Sequence, residues 1–148
     1  MTTAMTEKLF QNVLVATDGS EKNRSAVLEA IRVARASSAA LDAIYVIDTS
    51  AFTAAPGDVP LGDTCRVFEA EAKKSFEDIQ QLSGRDFSVT TTLLEGRPAQ
   101  EIVKYAGNHN IDLIVIGTQG KKGLERLLLG SVAEEVIRSA TCKVLVVK

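Results

Sequence analysis

The sequence has 148 residues, of which 45% are hydrophobic and 24% charged, and its formal net charge is −2. This length predicts a single domain, spanning residues 1–148, that buries a core of its own. Acidic and basic residues are interspersed, and no basic run indicates a nucleic-acid partner. No apolar run of about 18 residues predicts a membrane span. The first ten residues lack a signal-peptide core, so we expect a cytoplasmic protein.

Cysteine and histidine are scarce, which limits the chemistry that the chain can support. The two cysteines, Cys65 and Cys142, are far apart and lack the spacing of a zinc site or a redox motif. We expect reduced thiols, with Cys142 in the core. His109 is the only histidine, which excludes a site built from several histidines and argues against a histidine-dependent triad.

The first part of the chain predicts a parallel βαβ unit. An apolar strand, Asn12–Thr17, ends at Asp18-Gly19-Ser20, where Asp18 or Ser20 can cap the next helix. Residues 41–47 form a second apolar strand. A strand, a helix and another strand this close together predict a right-handed crossover and parallel pairing. The apolar face of the helix comprises Ala26, Val27, Ala30, Ile31 and Ala34.

An irregular stretch, residues 49–62, follows the second strand. Its prolines, glycines and small residues argue against a regular element. A loop of this length in a compact domain is often functional. Because it starts at the carboxyl end of a strand, we expect it to be mobile without ligand and to lie beside the binding site.

Two further helices and a strand are predicted next. A helix over residues 63–82 stops at Gly84, and a third helix begins with Pro98 in its first turn. Between them, residues 87–94 alternate polar and apolar side chains, which predicts a strand at a sheet edge. The inward-facing residues of the two helices are Phe68, Ala72, Phe76, Ile79, Leu82, Ala99, Ile102, Val103 and Ala106.

The most informative stretch is residues 111–137. A buried strand, residues 113–116, leads into a glycine-rich basic loop and an amphipathic helix. Ser131 followed by Glu134 is a capping box, which predicts Ser131 as the N-cap. Glycines let the backbone approach a ligand closely, and a helix N-terminus favours negative charge, so the stretch predicts an anion site. The predicted inward-facing residues of this helix are Ala133, Val136, Ile137 and Ala140.

With a fifth strand at Lys143–Val147, the strand and helix pattern predicts an open, doubly wound α/β sandwich. Ligands of such folds bind where the carboxyl ends of the strands meet at the topological switch point, here between strands one and four. Residues 16–20, residues 46–48 and the glycine loop should therefore converge.

The spacing of the glycines narrows the type of anion site. Neither a Walker A loop nor a G-x-G-x-x-G pattern is present. Instead, Gly117 is followed after two residues by Gly120 and after nine more by Gly130-Ser131. This pattern resembles the G-x2-G-x9-G-(S/T) nucleotide motif of the ATP-binding universal stress proteins. The segment VLVATDGS and the strand ending in Val-Ile-Asp are also similar to that family.

The resemblance covers essentially the whole chain and implies a Rossmann-like, adenine-nucleotide-binding three-layer sandwich with a parallel sheet in the order 3-2-1-4-5. It implies that the backbone of Val46 pairs with adenine between apolar walls at Ala16 and Ile116. It also places Asp18 near the ribose, where it can help hold a phosphate-bound Mg²⁺ or Mn²⁺. The other binding residues that it implies are Thr17, Gly117, Gly120, Lys121, Gly130, Ser131 and Val132.

Two positions depart from a common form of the motif. Gln119 stands where His or Arg is frequent, and Ala133 stands where a hydroxyl is frequent, so each removes one possible phosphate contact. Lys121, Lys122 and Arg126 either compensate by long-range attraction or form a solvated face.

The resemblance favours an ATP-binding regulatory module, with ADP or AMP as the other ligands to consider. It also favours a homodimer through Lys143–Val147, whose apolar sequence predicts an unpaired edge strand. A slow ATPase with Asp18 or Glu95 as base stays open, as does a nucleotide-independent structural stress protein, which the intact motif argues against. A receiver-type phosphoacceptor domain is excluded because its acidic pair is missing.

Overall fold

A computed structural model describes residues 7–52, 61–118 and 129–148, without the side chains of residues 51–52 and 61–65. Within these ranges, no helix is long and apolar enough to cross a membrane. Short 3₁₀ helices, Glu21–Asn23 and Thr49–Phe52, follow the first two strands. The main elements are β1 (Asn12–Thr17), α1 (Arg24–Ser37), β2 (Ala40–Asp48), α2 (Leu61–Ser83), β3 (Val89–Gly96), α3 (Pro98–Asn108), β4 (Leu113–Gly117), α4 (Ser131–Ser139) and β5 (Lys143–Val147).

The five strands form one parallel sheet in the order β3-β2-β1-β4-β5, which confirms the predicted topology. Val15 of β1 pairs with Ala43 of β2 on one side and with Val115 of β4 on the other. The chain therefore extends the sheet from β1 first in one direction and then in the other. This reversal places the switch point between β1 and β4.

The helices cover both faces of the sheet and produce the three predicted layers. α1 and α2 pack on the face that contains Val13 and Val15, whereas α3 and α4 pack on the face that contains Leu14 and Ile114. Successive strand side chains point to opposite faces, so a strand covered on both sides must be apolar throughout. The predicted burial of residues 113–116 is confirmed, since all four are at most 5% exposed.

The β3 edge was predicted correctly, but the strand begins two residues later than expected. Val89 is the first residue of β3 to pair with β2, opposite Leu41. The preceding turn is held by Arg35 of α1, which bonds the carboxylate of Asp86 and lies 5.2 Å from the ring centroid of Phe87. These contacts keep Phe87 in the connection rather than in the strand.

The inward face of α4 is narrower than its periodicity indicates. Ala133 and Val136 are buried, but Ile137 is 42% exposed, so its predicted inward orientation is wrong. The helix lies over the β4–β5 end of the sheet, where a narrow apolar stripe is enough to cover the strands. Cys142 is half-buried against the same core, and burial raises the pKa of its thiol.

Candidate functional site

The turn after β1 presents a carboxylate at the carboxyl edge of the sheet. Asp18 Oδ1 accepts hydrogen bonds from the backbone N of Ser20 at 2.9 Å and from the Ser20 hydroxyl at 2.6 Å. Neither side chain caps the helical segment that follows, so that prediction is wrong: both are used within the turn. Among the described residues, none donates a hydrogen bond to Asp18 Oδ2. One oxygen of this half-buried carboxylate is therefore available for a ligand.

Asn23 fastens the end of β1 and was not selected from the sequence. Its side chain is 5% exposed, and its Nδ2 donates to the backbone O of Ala16 at 3.1 Å. The sequence signal was misleading, because an asparagine before a helix usually indicates a cap, and this side chain forms none. Asn23 instead holds the carboxyl end of β1 in place through its hydrogen bond to Ala16.

Three of the predicted binding residues lie on one face at this edge. Ala16, Val46 and Ile116 all belong to the side of the sheet covered by α3 and α4. Ala16 and Val46 are half-buried, whereas Ile116 is 5% exposed. Because β1 lies between β2 and β4, these side chains form an apolar floor that crosses three adjacent strands.

The two ends of the glycine loop meet at the end of β4. Gly117 is the last residue of this strand, and Thr118 N donates to the backbone O of Val147 in β5 at 3.1 Å. Gly130 N in turn donates to Thr118 O at 2.7 Å. The loop therefore starts and finishes beside the carboxyl ends of β4 and β5, and α4 begins there.

The helix that follows starts one residue later than the capping box predicts. Gly130, with φ −60° and ψ 157°, is the N-cap, and Ser131 is the first helical residue. The predicted Ser131 cap is therefore wrong. Glu134 does not reach back to the helix start, since its carboxylate accepts from Arg138 Nη2 at 2.7 Å. Among the described residues, which exclude 119–128 of the adjoining loop, no side chain caps α4. The N–H groups of its first turn, which have no intrahelical partner, lie at the carboxyl edge.

Part of the predicted site lies outside the described residues. Gly120 and Lys121 fall there, as do Gln119, Lys122 and Arg126. Residues 53–60 of the predicted ligand-side loop fall there too. At its described ends the expectation of an irregular stretch is wrong, because residues 49–52 form a 3₁₀ helix and α2 begins at Leu61, two residues earlier than predicted.

The described residues contain no group of three or more His, Cys, Asp or Glu side chains that could hold a metal ion. A single carboxylate such as Asp18 fits Mg²⁺ when phosphate oxygens and water supply the other ligands.

Known proteins identify the family. Residues 9–148 match the sequence profile of the universal stress protein family. A universal stress protein of Methanocaldococcus jannaschii is 41% identical over 143 residues, covering 96% of this chain and 84% of that protein. The structure of the universal stress protein UspA from Lactobacillus plantarum matches with a TM-score of 0.77 at 32% identity, covering 93% of this chain and 97% of that one.

A further solved structure, of a universal stress protein in complex with cAMP, matches with a TM-score of 0.67 at 27% identity over 94% of this chain and 97% of that one. The sequence profile and the archaeal relative both extend over nearly the whole chain. This chain belongs to the universal stress protein family.

Proposed function

We propose that this chain binds an adenine nucleotide, primarily ATP, at the carboxyl edge of the sheet between β1 and β4. The observation that carries the proposal is the 2.7 Å hydrogen bond from Gly130 N to Thr118 O. It joins the two ends of the glycine loop and brings the N-terminus of α4, which no described side chain caps, to the end of β4. Free N–H groups and the positive end of the helix dipole favour a phosphate at this position.

The apolar floor supports the choice of adenine. Ala16, Val46 and Ile116 offer a base-sized surface on the same face as α4. In the proposed complex, the backbone of Val46 pairs with the adenine edge, while the other two side chains pack against the ring. The family supports this choice, because a relative of 27% identity has been solved with cAMP.

The phosphates and ribose are assigned to the glycine motif. Gly117, Gly130, Ser131 and Val132 lie at the ends of the loop. Because Gly130 N is bonded to Thr118 O, the amides proposed for the phosphates are those of Ser131 and Val132 in the first turn of α4. The proposal includes Thr17 at the end of β1 and, from the part of the motif that is not described, Gly120 and Lys121. Asp18 Oδ2 is the group that would hold a Mg²⁺ or Mn²⁺ ion bound to the phosphates, and the ion would neutralise phosphate charge.

We propose a regulatory binding module rather than a rapid enzyme. The base candidates are Asp18 and Glu95. Asp18 Oδ1 is engaged by Ser20 and its Oδ2 is the oxygen proposed for the metal ion. Glu95 is exposed, without a described partner that would orient it towards a water molecule. Any hydrolysis should therefore be slow, and nucleotide occupancy would be the signal passed to a partner. We place this single-domain module in the cytoplasm.

The sharpest test of the site is Gly130→Val. Its backbone angles are allowed for valine, so the fold should persist, but the branched side chain would occupy the space that the phosphates approach. We expect calorimetry to give micromolar ATP affinity for the unaltered chain, about −8 kcal/mol, and no measurable binding for the variant.

Gly107→Val provides the matched control. This glycine is exposed on α3, and a Cβ atom there would meet nothing within 4 Å. The control should bind ATP like the unaltered chain. Equal affinity in Gly130→Val would contradict the proposed site, and rapid turnover by contaminant-free protein with added metal would contradict the binding role.

A homodimer through β5 completes the proposal. Val147 O accepts from Thr118 N, so the backbone groups of Val147 face β4. Because these groups alternate in direction along a strand, those of Val146 face away from the sheet. Among the described elements no strand covers this side of β5, and a second copy can pair with it across a two-fold axis.

A further inference from the structure

The turn that carries Asp18, residues 18–20, packs directly against α2 and β2. Gly19 has φ +78°, and a Cβ atom built on it would lie 2.8 Å from Ser75 Oγ and 3.7 Å from Tyr45 Cε2. A distance of 2.8 Å is shorter than a carbon–oxygen contact allows. The turn therefore packs against α2 and β2, and a side chain at position 19 would be strained and would displace either Ser75 Oγ or the turn.

The supporting side of this contact is anchored. Ser75 is 8% exposed, and its hydroxyl donates to the backbone O of Glu71 at 2.8 Å. Tyr45 is 2% exposed, and its hydroxyl donates to Glu71 Oε2 at 3.0 Å. Both supporting side chains are thus hydrogen-bonded to one residue of α2, so either yields only at the cost of that hydrogen bond.

The other side of the contact carries Asp18. The carboxylate is locked to Ser20 by two hydrogen bonds that span Gly19, so a displacement of Gly19 also moves Asp18. We propose that Ser75 and Tyr45 are positioning residues that set the Asp18 carboxylate for the metal-bound phosphates of a nucleotide. This inference rests on the proposed function and adds α2 to the elements that determine metal-dependent affinity.

The turn has space in which to move. A cavity of about 60 Å³ lies between it, α1 and α2, lined by residues that include Thr17, Ser20 and Asp78. Ser75 and Gly19 both line this cavity, so a larger side chain at position 75 and a displaced turn can share the space without opening the core. For this reason we expect Ser75→Val to fold, with Asp18 displaced.

Ser83→Val is the matched control. Ser83 is also buried on α2, and its hydroxyl donates to the backbone O four residues earlier, that of Ile79, at 2.7 Å. It lines neither the turn nor the cavity beside it. The substitution thus repeats the change in volume and hydrogen bonding without touching Gly19.

The test compares calorimetric affinities for ATP with Mg²⁺, ATP with EDTA, and AMP. Ser75→Val should weaken binding of Mg²⁺-ATP about tenfold, which corresponds to about 1.4 kcal/mol, and change AMP affinity less than twofold. Asp18→Asn should do the same, and the double variant should lose no more than either single variant.

Ser83→Val should preserve the ratio of Mg²⁺-ATP to AMP affinity. In ligand-free protein, NMR should show displaced Gly19 and Ser20 amide signals in Ser75→Val only.

Equal losses for Mg²⁺-ATP and AMP, additive losses in the double variant, or unmoved Gly19 and Ser20 signals would overturn the positioning role. If Ser75→Val does not fold, Gly19→Ala probes the same contact from the opposite side and should show the same metal-selective loss. Failure of the unaltered chain to bind any nucleotide would overturn the proposed function, and the positioning role with it.

Discussion

At the amino ends of the strands, polar groups are satisfied by one another. The Asp112 carboxylate accepts from Gln11 N at 2.8 Å and from Asn12 N at 2.9 Å, which fastens β1 to the start of β4. Tyr105 of α3 donates its hydroxyl to Asp42 of β2 at 2.8 Å, and burial is the main cause that raises the pKa of Tyr105. This end of the sheet is internally paired.

At the carboxyl ends, polar groups are left available. Asp18 uses one carboxylate oxygen within its own turn, and no side chain in the described part of the chain caps α4. Uncapped N–H groups and a half-satisfied carboxylate are a cost unless water or a ligand completes them. Paired polar groups therefore mark the end of the sheet that serves stability, and unpaired ones mark the end that we assign to binding.

The largest effect is expected at the outer side of β5, where we propose that backbone groups without a partner among the described strands pair with a second copy of the chain. Val146→Pro removes one outward donor from each protomer, or two from a symmetric dimer. We expect a loss of about 2 kcal/mol and a dissociation constant raised roughly 30-fold, measured by light scattering over a dilution series.

Leu145→Pro is its counterpart, because the amide of Leu145 faces β4 like that of Val147. This variant should lower the free energy of unfolding. A monomeric wild type at micromolar concentration, or a Val146→Pro variant that dimerises normally, would remove the dimer from the proposal.

The next largest effect is expected at the amino ends of the strands, on the free energy of unfolding. Asp112→Ala leaves the amides of Gln11 and Asn12 without their acceptor. Because these groups are partly exposed, we expect the free energy of unfolding to fall by only about 1.5 kcal/mol in urea denaturation. ATP affinity should be unchanged. A large loss of ATP affinity in this variant would contradict the assignment of stability to the amino end of the sheet and of binding to the carboxyl end.

The smallest effect is expected at the carboxyl end. Ser131 is exposed and forms no cap, so Ser131→Ala should leave the unfolding midpoint unchanged. If its hydroxyl donates to a phosphate, as proposed, ATP affinity should fall about fivefold, which corresponds to about 1 kcal/mol. A lower unfolding midpoint with full affinity would instead assign Ser131 a structural role.

The elements could be predicted because their signals are local. The continuous apolar run of β4, the apolar face of α1 and the alternating pattern of β3 are all local hydrophobic signals, and the three elements that they predict are confirmed. The errors at helix starts concerned caps, whereas β3 began two residues later than predicted and Ile137 of α4 was exposed rather than inward. A capping box at Ser131 and caps at Asp18 or Ser20 are possible from the sequence, but the same side chains can form other hydrogen bonds. In the structure Asp18 and Ser20 bond each other, and Glu134 bonds Arg138.

The sequence by itself determined the alternation of strands and helices, the buried strands and the order of residues in the glycine motif. Its resemblance to a family added the strand order and the binding residues, of which the strand order is confirmed and the binding residues stay a prediction. Only the tertiary structure could show that Asn23 fastens Ala16, that Gly130 bonds to Thr118 and that Gly19 rests on Ser75. These pairs are brought together by the packing of separate elements, a geometry that no local spacing of residues encodes.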